Sequence, residues 1–239
     1  MQGRTTEEML KFARHAERLA PDMIISRPPE NGQTQEDYRE YYRELAEATK
    51  RPVIIQTSGG GGERLTPSTD LIVELASEFP NFGYVKEEAP LGRPLEILAR
   101  QKDLLAHRPP IKVVLSANYG LGLLYEMRLG VDGVVTGSAM YADALTRIWD
   151  MHVRNDAERL REAYSRYLLM RDLSAQIPAA DLYVWKKRGV YKTMTTRRGV
   201  RGGSPGEYAI NTPKLSESEI AEIKYRLAGL KPYLSKEVG

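Results

Sequence analysis

The sequence predicts an α/β fold in which parallel strands alternate with crossover helices. Short apolar runs recur along the first half of the chain at intervals of about thirty residues, the length of one βαβ unit. The segments between these runs carry apolar residues at helical spacing. Two closures fit the pattern, an open doubly wound sheet or part of a (β/α)8 barrel, and five strands are too few to close a barrel alone.

Each predicted strand is a nearly continuous apolar run that is rich in Val and Ile. Such runs are typical of parallel strands that are covered on both faces. The predicted strands are Asp22–Ser26, Pro52–Thr57, Phe82–Glu87, Lys112–Ala117 and Gly133–Ser138.

Local signals place helices between these strands. Thr5-x-x-Glu8 is a capping box, Thr34-x-x-Asp37 is a similar start, and Thr66-Pro67 puts proline at a first helical position. Two further helices are predicted at Leu95–Leu105 and Leu121–Leu129, and Gly130 ends the second. The packed face of the first helix is expected to consist of Met9, Phe12, Ala13, Ala16 and Leu19.

The remainder of the chain is predicted to be helical, with no strand after Ser138. A loop rich in Gly and Arg, Thr195–Gly206, should separate the last two helices. The predicted helices are Asp143–Val153, Asp156–Ala175, Ala179–Lys187 and Ser216–Leu227.

The composition excludes several classes of function. The 239 residues include 35 basic and 32 acidic ones, so the net charge of +3 gives no overall indication of nucleic-acid binding. Cysteine is absent, which excludes disulfides and thiolate catalysis, and the three histidines lack metal-ligand spacing. No Gly-x-Gly-x-x-Gly follows a strand, and no apolar run is long enough to span a membrane. We therefore expect a soluble, cytoplasmic protein without a metal or other cofactor, in which the basic run over residues 186–201 forms a solvated or inter-subunit surface.

Lys86 is the most informative candidate for chemistry. It lies near the carboxyl end of a predicted strand, where parallel α/β proteins place their active sites. Desolvating an ammonium is costly, and burial favours the neutral amine that can attack a ketone. The alternative is a lysine that extends from the strand end into solvent. Further polar candidates for substrate binding at strand ends are Gln56, Thr57, Ser58, Gly59, Gly60, Ser116 and Thr136.

Two neighbouring motifs leave alternatives open. The four glycines over residues 59–62 allow backbone N–H groups to approach a carboxylate or phosphate, but the same loop could simply join a strand to a helix. Glu87 and Glu88 could form an acid/base pair. Because strand alternation sends neighbouring side chains to opposite faces, at most one of them should face a ligand together with Lys86.

Several segments resemble the dihydrodipicolinate synthase / N-acetylneuraminate lyase family of class I aldolases. Asn81-Phe82-Gly83-Tyr84-Val85-Lys86-Glu87 resembles the family's Schiff-base segment. Pro52–Ile55, followed by Leu65–Pro67, resembles its fifth strand and next helix. Val114–Ser116 and Gly130–Gly137 resemble the seventh and eighth strands, and the resemblance runs nearly from end to end.

The resemblance implies a TIM-type (β/α)8 barrel of which about five βα units and the C-terminal helices are present. Residues 1–140 would form the partial barrel, and residues 141–239 would form a helical region packed on it. It also implies a lyase in which Lys86 forms an imine with pyruvate or a related 2-oxo acid, for aldol cleavage, condensation or dehydration. The expected partners are this small substrate and further copies of the chain, in a dimer or tetramer, and neither nucleic acid nor a membrane.

The sequence departs from the family pattern in two respects. By the resemblance, the chain begins after the family's third strand, so open sheet edges predict close self-association or a longer natural chain. Gln56 stands where the family has a proton-relaying tyrosine, and glutamine cannot act as a general acid at neutral pH. The alternative to a lyase is therefore a non-catalytic relative that serves as a binding or assembly subunit. A third hypothesis is a protein that binds phosphate ligands through the glycine loop.

Overall fold

The structure, a computed structural model, describes residues 3–58, 66–137, 139–199 and 208–235. The chain divides into two compact units, Met1–Gly137 and Ser138–Gly239. None of the helices in the described ranges combines the length and apolar character that a bilayer crossing requires.

The first unit contains a five-stranded parallel sheet whose strand order follows the chain. Each predicted strand segment contains an observed strand, although the observed strands are shorter. The strands are β1 (Ile24–Ser26), β2 (Val53–Gln56), β3 (Tyr84–Glu87), β4 (Val113–Ser116) and β5 (Gly133–Val134). The helices of this unit are α1 (Thr6–Leu19), α2 (Gln35–Ala48), α3 (Thr69–Glu78), α4 (Pro94–Ala106) and α5 (Leu123–Leu129).

The two faces of the sheet differ in burial. Alternate residues of β1, β2 and β4 are fully buried, and the residues between them are half-buried. The buried side, which we call the helix-covered face, includes Ile55, Val85 and Val114. The other side, which we call the open face, includes Ile54, Tyr84, Val113 and Leu115. The prediction that the strands are covered on both faces is therefore wrong for the open face, because the described residues leave its side chains partly exposed.

Capping side chains fix most of the predicted helix starts. Thr34 accepts a hydrogen bond from the Asp37 N–H, and Asp37 accepts one from the Thr34 N–H, so the box at α2 is complete. At α3 the predicted start is wrong. The Ser68 hydroxyl, rather than Pro67, begins the helix, because it accepts a hydrogen bond from the Leu71 N–H at 3.1 Å.

The predicted packed face of α1 is only partly correct. Met9 and Ala13 are fully buried. Phe12 and Leu19, which were expected beside them, are 45% and 69% exposed. Helical periodicity locates an apolar stripe, but it does not determine how much of that stripe a neighbouring element covers.

The second unit is built mainly from helices, as predicted, but it also contains a two-stranded antiparallel hairpin. Its helices are α6 (Ala142–Val153), α7 (Ala157–Gln176), α8 (Ala180–Lys187) and α9 (Glu217–Leu230). The hairpin pairs β6 (Thr196–Gly199) with β7 (Tyr208–Asn211), so the prediction of a loop over Thr195–Gly206 is wrong at its start. All residues of β7 are exposed. The strand therefore does not show the alternation of apolar and polar residues by which a half-buried strand is recognised in a sequence.

One member of the basic run is buried rather than solvated. The Arg188 guanidinium, whose side chain is 11% exposed, forms an ion pair with Asp143 in α6 and donates to the Met140 carbonyl oxygen. Asp143 also accepts hydrogen bonds from the backbone N–H and the hydroxyl of Ser235. This ionic cluster links the start of α6 to the end of α8 and to the last described residue of the unit.

Candidate functional site

Lys86 lies on the open face near the carboxyl end of β3 and is nevertheless buried. The residue is 9% exposed, so its side chain does not extend into solvent, as the alternative hypothesis for a strand-end lysine would require. Its Nζ lies 3.3 Å from Oε2 of Glu88, two positions along the chain. A buried ammonium is costly unless it is paired, and this carboxylate provides the pairing.

Two further side chains hold Glu88 in place. The Ser58 hydroxyl and the Gln56 side-chain amide both donate hydrogen bonds to Oε1 of Glu88. Gln56 is the register partner of Lys86 in the neighbouring strand, so the two side chains project from the same face of the sheet. We call Gln56, Ser58, Lys86 and Glu88 the lysine cluster.

Glu87 projects from the opposite face and is completely buried. Its Oε1 lies 3.2 Å from Arg100 Nε in α4, and it accepts hydrogen bonds from the Ala89 N–H at 2.9 Å and the Thr57 hydroxyl at 3.0 Å. Burial raises the pKa of Glu87, and the charge of Arg100 and the hydrogen bonds from Ala89 and Thr57 only partly oppose this. The expectation that alternation separates Glu87 from Glu88 is confirmed, and Glu88 is the one that shares a face with Lys86.

Thr57 links the contacts of Glu87 to the backbone of Lys86 and Glu88. Its hydroxyl donates to Glu87 and accepts a hydrogen bond from the Glu88 N–H at 3.1 Å. Its own N–H donates to the Lys86 carbonyl oxygen at 3.1 Å. We call Thr57, Glu87 and Arg100 the rear clamp, because together they fix the backbone that carries Lys86 and Glu88 from behind the sheet.

Ser116 belongs to a second buried polar group on the helix-covered face. Its hydroxyl donates to Oε2 of Glu126 in α5, and the Gln101 amide donates to Oε1 at 3.0 Å. Glu126 is 3% exposed. Ser116 is the register partner of Glu87, so it lies on the side of the sheet away from Lys86.

The structure therefore brings together only some of the side chains that were predicted to surround a substrate. Gln56 and Ser58 join Lys86, whereas the hydroxyls of Thr57 and Ser116 serve buried carboxylates on the helix-covered face. The difference arises because side chains at successive strand positions point in opposite directions. Thr136 follows β5 and is half-buried. Gly59 and Gly60 lie outside the described residues, so the proposed anion-binding loop has no structural description here.

Sequence reasoning missed Arg100 and Glu126, and it considered Glu88 without choosing between it and Glu87. The spacing could have decided in favour of Glu88, because a residue two positions from Lys86 along an extended strand shares its face. Arg100 and Glu126 carry no such signal, because their contacts depend on how α4 and α5 pack against the sheet. No group of three or more metal-ligating side chains occurs among the residues that the structure describes.

The lysine cluster combines a buried amine with a carboxylate at 3.3 Å. An amine can add to a carbonyl carbon, and a carboxylate at hydrogen-bond range can exchange protons with it. The arrangement therefore has the groups needed for imine chemistry.

Comparisons with known proteins identify both sequence relatives and structural relatives. No protein-family model matches the chain. A curated protein from Chlorobium phaeobacteroides (strain BS1), named 4-hydroxy-tetrahydrodipicolinate synthase, is 32% identical over 165 residues, which are 67% of this chain and 52% of that protein. The chain thus spans about half the length of the curated relatives it matches.

Solved structures match the fold over almost the whole chain. The dihydrodipicolinate synthase from Aquifex aeolicus superposes with a TM-score of 0.72 at 19% identity, covering 98% of this chain and 74% of that one. The chloride-inhibited dihydrodipicolinate synthase from Acinetobacter baumannii, complexed with pyruvate, gives a TM-score of 0.71 at 20% identity, with the same two coverages. The first unit is therefore part of a TIM-type (β/α)8 barrel, and the predicted fold class is confirmed.

Proposed function

Because the chain belongs to the dihydrodipicolinate synthase family, we propose that it is a Schiff-base lyase in which Lys86 forms an imine with pyruvate or a related 2-oxo acid. The substrate is a small 2-oxo acid, and the reaction is aldol cleavage or condensation, or loss of water. The observation that carries the proposal is the buried Lys86 amine, held beside Glu88 at the carboxyl end of a barrel strand.

The reaction follows from the amine's chemistry. The neutral Lys86 nitrogen adds to the ketone carbon of the 2-oxo acid, and water leaves to give a protonated imine. The imine withdraws electrons from the neighbouring carbon, which lowers the cost of breaking or forming a carbon–carbon bond there. Gln56 and Ser58, which donate to the same Glu88 carboxylate that pairs with the amine, border the bound acid in this proposal.

Reductive trapping tests the proposal directly. Incubation with pyruvate and sodium borohydride should attach a reduced pyruvate adduct to the peptide that contains Lys86, as measured by mass spectrometry. Lys86→Arg keeps a positive charge beside Glu88, but a guanidinium forms no stable imine, so this variant should remain unmodified. Lys50→Ala, which removes an exposed lysine of the same unit, should be labelled like the wild type. A folded wild-type protein without an adduct would refute the proposal.

Gln56 favours a second candidate function, a non-catalytic subunit that binds a 2-oxo acid or supports assembly. Its amide donates to Glu88 and cannot supply a proton as a tyrosine hydroxyl can. This candidate predicts that pyruvate raises the melting temperature equally in the wild type and in Lys86→Arg, with no adduct in either.

A further inference from the structure

We propose that Glu88 is the proton-transfer group of the lysine cluster, so that a carboxylate performs the acid/base work for which Gln56 is unsuited. The inference rests on the proposed function and adds a specific catalytic role to it. It starts from the position of Glu88 Oε2, which is 3.3 Å from the nitrogen that reacts.

The contacts of Glu88 divide its two oxygens into different roles. Oε1 receives both neutral donors, the Ser58 hydroxyl and the Gln56 amide. Among the described residues, the recorded contact of Oε2 is with Lys86. The carboxylate is thus oriented by one oxygen and left to exchange protons with the amine through the other.

The burial of this pair favours direct proton transfer. The side chains of Lys86 and Glu88 are 11% and 10% exposed, so bulk water has little access to carry protons between them. A general base must lie within hydrogen-bond reach of the proton it removes. Among the described residues, Glu88 is the carboxylate recorded in contact with the Lys86 ammonium.

Imine formation through Glu88 balances in protons and charge. The Lys86 ammonium gives a proton to Oε2, and the neutral amine forms a C–N bond as the carbonyl π pair moves to oxygen. A proton passes from nitrogen to that oxygen to give a neutral carbinolamine. The protonated Glu88 then donates to the hydroxyl, the C–O bond breaks and water leaves. The products are a protonated imine, a Glu88 carboxylate and one water molecule.

The same carboxylate can then act on the bound acid. Glu88 removes a proton from the carbon next to the imine, and the C–H electron pair forms the double bond of a neutral enamine. Returning a proton from Glu88 restores the imine. In heavy water this cycle replaces the C3 hydrogens of pyruvate with deuterium, without a second substrate.

Glu87 is a poorer candidate, although it is adjacent in sequence. It lies on the helix-covered face, and its described partners are Arg100, Thr57 and the Ala89 N–H. Its position assigns it to the rear clamp, which holds the backbone and does not contact the reacting nitrogen.

Deuterium exchange into pyruvate, followed by proton NMR, tests the role of Glu88. Glu88→Gln keeps the size of the side chain but cannot accept a proton, so the exchange rate should fall about 10²–10⁴-fold, the usual contribution of a general base. Borohydride trapping at long incubation should still label Lys86 in this variant. Glu44→Gln, on the exposed side of α2, serves as the matched control and should exchange at the wild-type rate.

Chemical rescue keeps the test decisive if glutamine disturbs the cluster. Formate should restore part of the exchange rate in Glu88→Ala and leave the rates of the wild type and Glu44→Ala unchanged. If Glu88→Gln still forms the adduct and exchanges deuterium at the wild-type rate, the proposed role of Glu88 is refuted and the Schiff-base proposal stands. Absence of both adduct and exchange in the wild type would instead overturn the Schiff-base proposal, and this inference with it.

Discussion

At the scale of single residues, the site depends on how three buried carboxylates are compensated. Glu88 is paired with an ammonium, Glu87 with a guanidinium, and Glu126 with the neutral donors of Ser116 and Gln101. Each removal of a partner leaves a desolvated oxygen, which costs more than the interaction itself contributes. The strand-end residues are therefore structurally expensive to change, whatever their chemical role.

Arg100→Met tests this cost in the rear clamp. The substitution leaves Glu87 fully buried without its cation, so the free energy of unfolding should fall by about 3–5 kcal/mol. Urea denaturation monitored by circular dichroism measures it. Arg93→Met breaks a pair whose side chains are both 52% exposed, and it should change stability by less than about 0.5 kcal/mol. Equal losses in the two variants would contradict the assignment of the rear clamp.

At the scale of elements, β3 carries Lys86, and a glycine precedes its first residue. Gly83 has φ +101°, a conformation that other residues rarely adopt, and a Cβ built there would lie 2.7 Å from the Pro110 carbonyl oxygen. The Gly83 carbonyl oxygen also accepts hydrogen bonds from the N–H groups of Lys112 and Val113. The start of β3 is therefore joined closely to the segment that leads into β4.

Gly83→Ala should thus be more damaging than backbone strain alone explains. Gly92 provides the matched control, because it also has a positive φ (+77°) but an added Cβ would meet nothing within 4 Å. We expect Gly92→Ala to cost about 1–2 kcal/mol, and Gly83→Ala to cost more. Thermal and urea unfolding of the two variants make the comparison, and a smaller loss at Gly83 than at Gly92 would show that the contact with Pro110 is easily relieved.

The sequence predicted these elements better than their environments. Continuous apolar runs located all five parallel strands, and a spacing of about thirty residues supported the first four, because both are properties of the chain itself. Which side of each strand is covered depends on tertiary packing, so the half-buried open face and the exposure of Phe12 were not foreseen. The β6–β7 hairpin was not predicted for a related reason. The residues of β7 are all exposed, so its sequence does not alternate between apolar and polar residues as a half-buried strand does.

The candidate site was predicted in the same partial way. Lys86 was identified by its charge within an apolar strand, and alternation correctly separated Glu87 from Glu88. The side chain that joins the lysine cluster from β2 depends on the register between β2 and β3, which places Gln56 opposite Lys86. Register is set by long-range pairing, and a single sequence does not specify it directly.

At the scale of the whole molecule, each unit contains a buried ion pair, and the two respond oppositely to pH. In the first unit, burial raises the pKa of Glu87 above its ordinary value. In the second unit, burial opposes the shift at Asp143, but hydrogen bonds from Arg188 and Ser235 hold the pKa of this carboxyl well below its ordinary value. The native state therefore binds a proton more readily than the unfolded chain at Glu87 and less readily at Asp143.

Acidification should consequently weaken the contacts of Asp143 in the second unit and spare those of Glu87 in the first. The stability from Asp143 is fully present above its ordinary pKa of 3.8 and is lost as the pH falls towards the lowered native value. The contribution of Glu87 has the opposite sign, because it becomes less favourable as the pH rises from 4.5 through the raised native pKa. Hydrogen exchange measured as the pH falls from 4 to 2 should show α6 and α8 losing protection before β3.

Asp143→Asn provides the control for this pH dependence. The variant strands the Arg188 guanidinium, so it should be about 3–5 kcal/mol less stable at neutral pH. Its remaining stability should vary less between pH 2 and pH 4 than that of the wild type. An unchanged acid dependence would exclude Asp143 as the responsible group.

The separation of the lysine cluster from the rear clamp has a practical consequence for protein engineering. The residues of the lysine cluster alternate with Thr57 and Glu87 of the rear clamp at the ends of the same two strands, one position apart in sequence, and the two sets project to opposite sides. A combinatorial library at Gln56 and Ser58 would vary chemistry and selectivity while leaving Thr57, Glu87 and Arg100 intact. A library of contiguous positions would mix the two sets and lose most members to misfolding. New activities in this scaffold should therefore be sought by randomising every second residue.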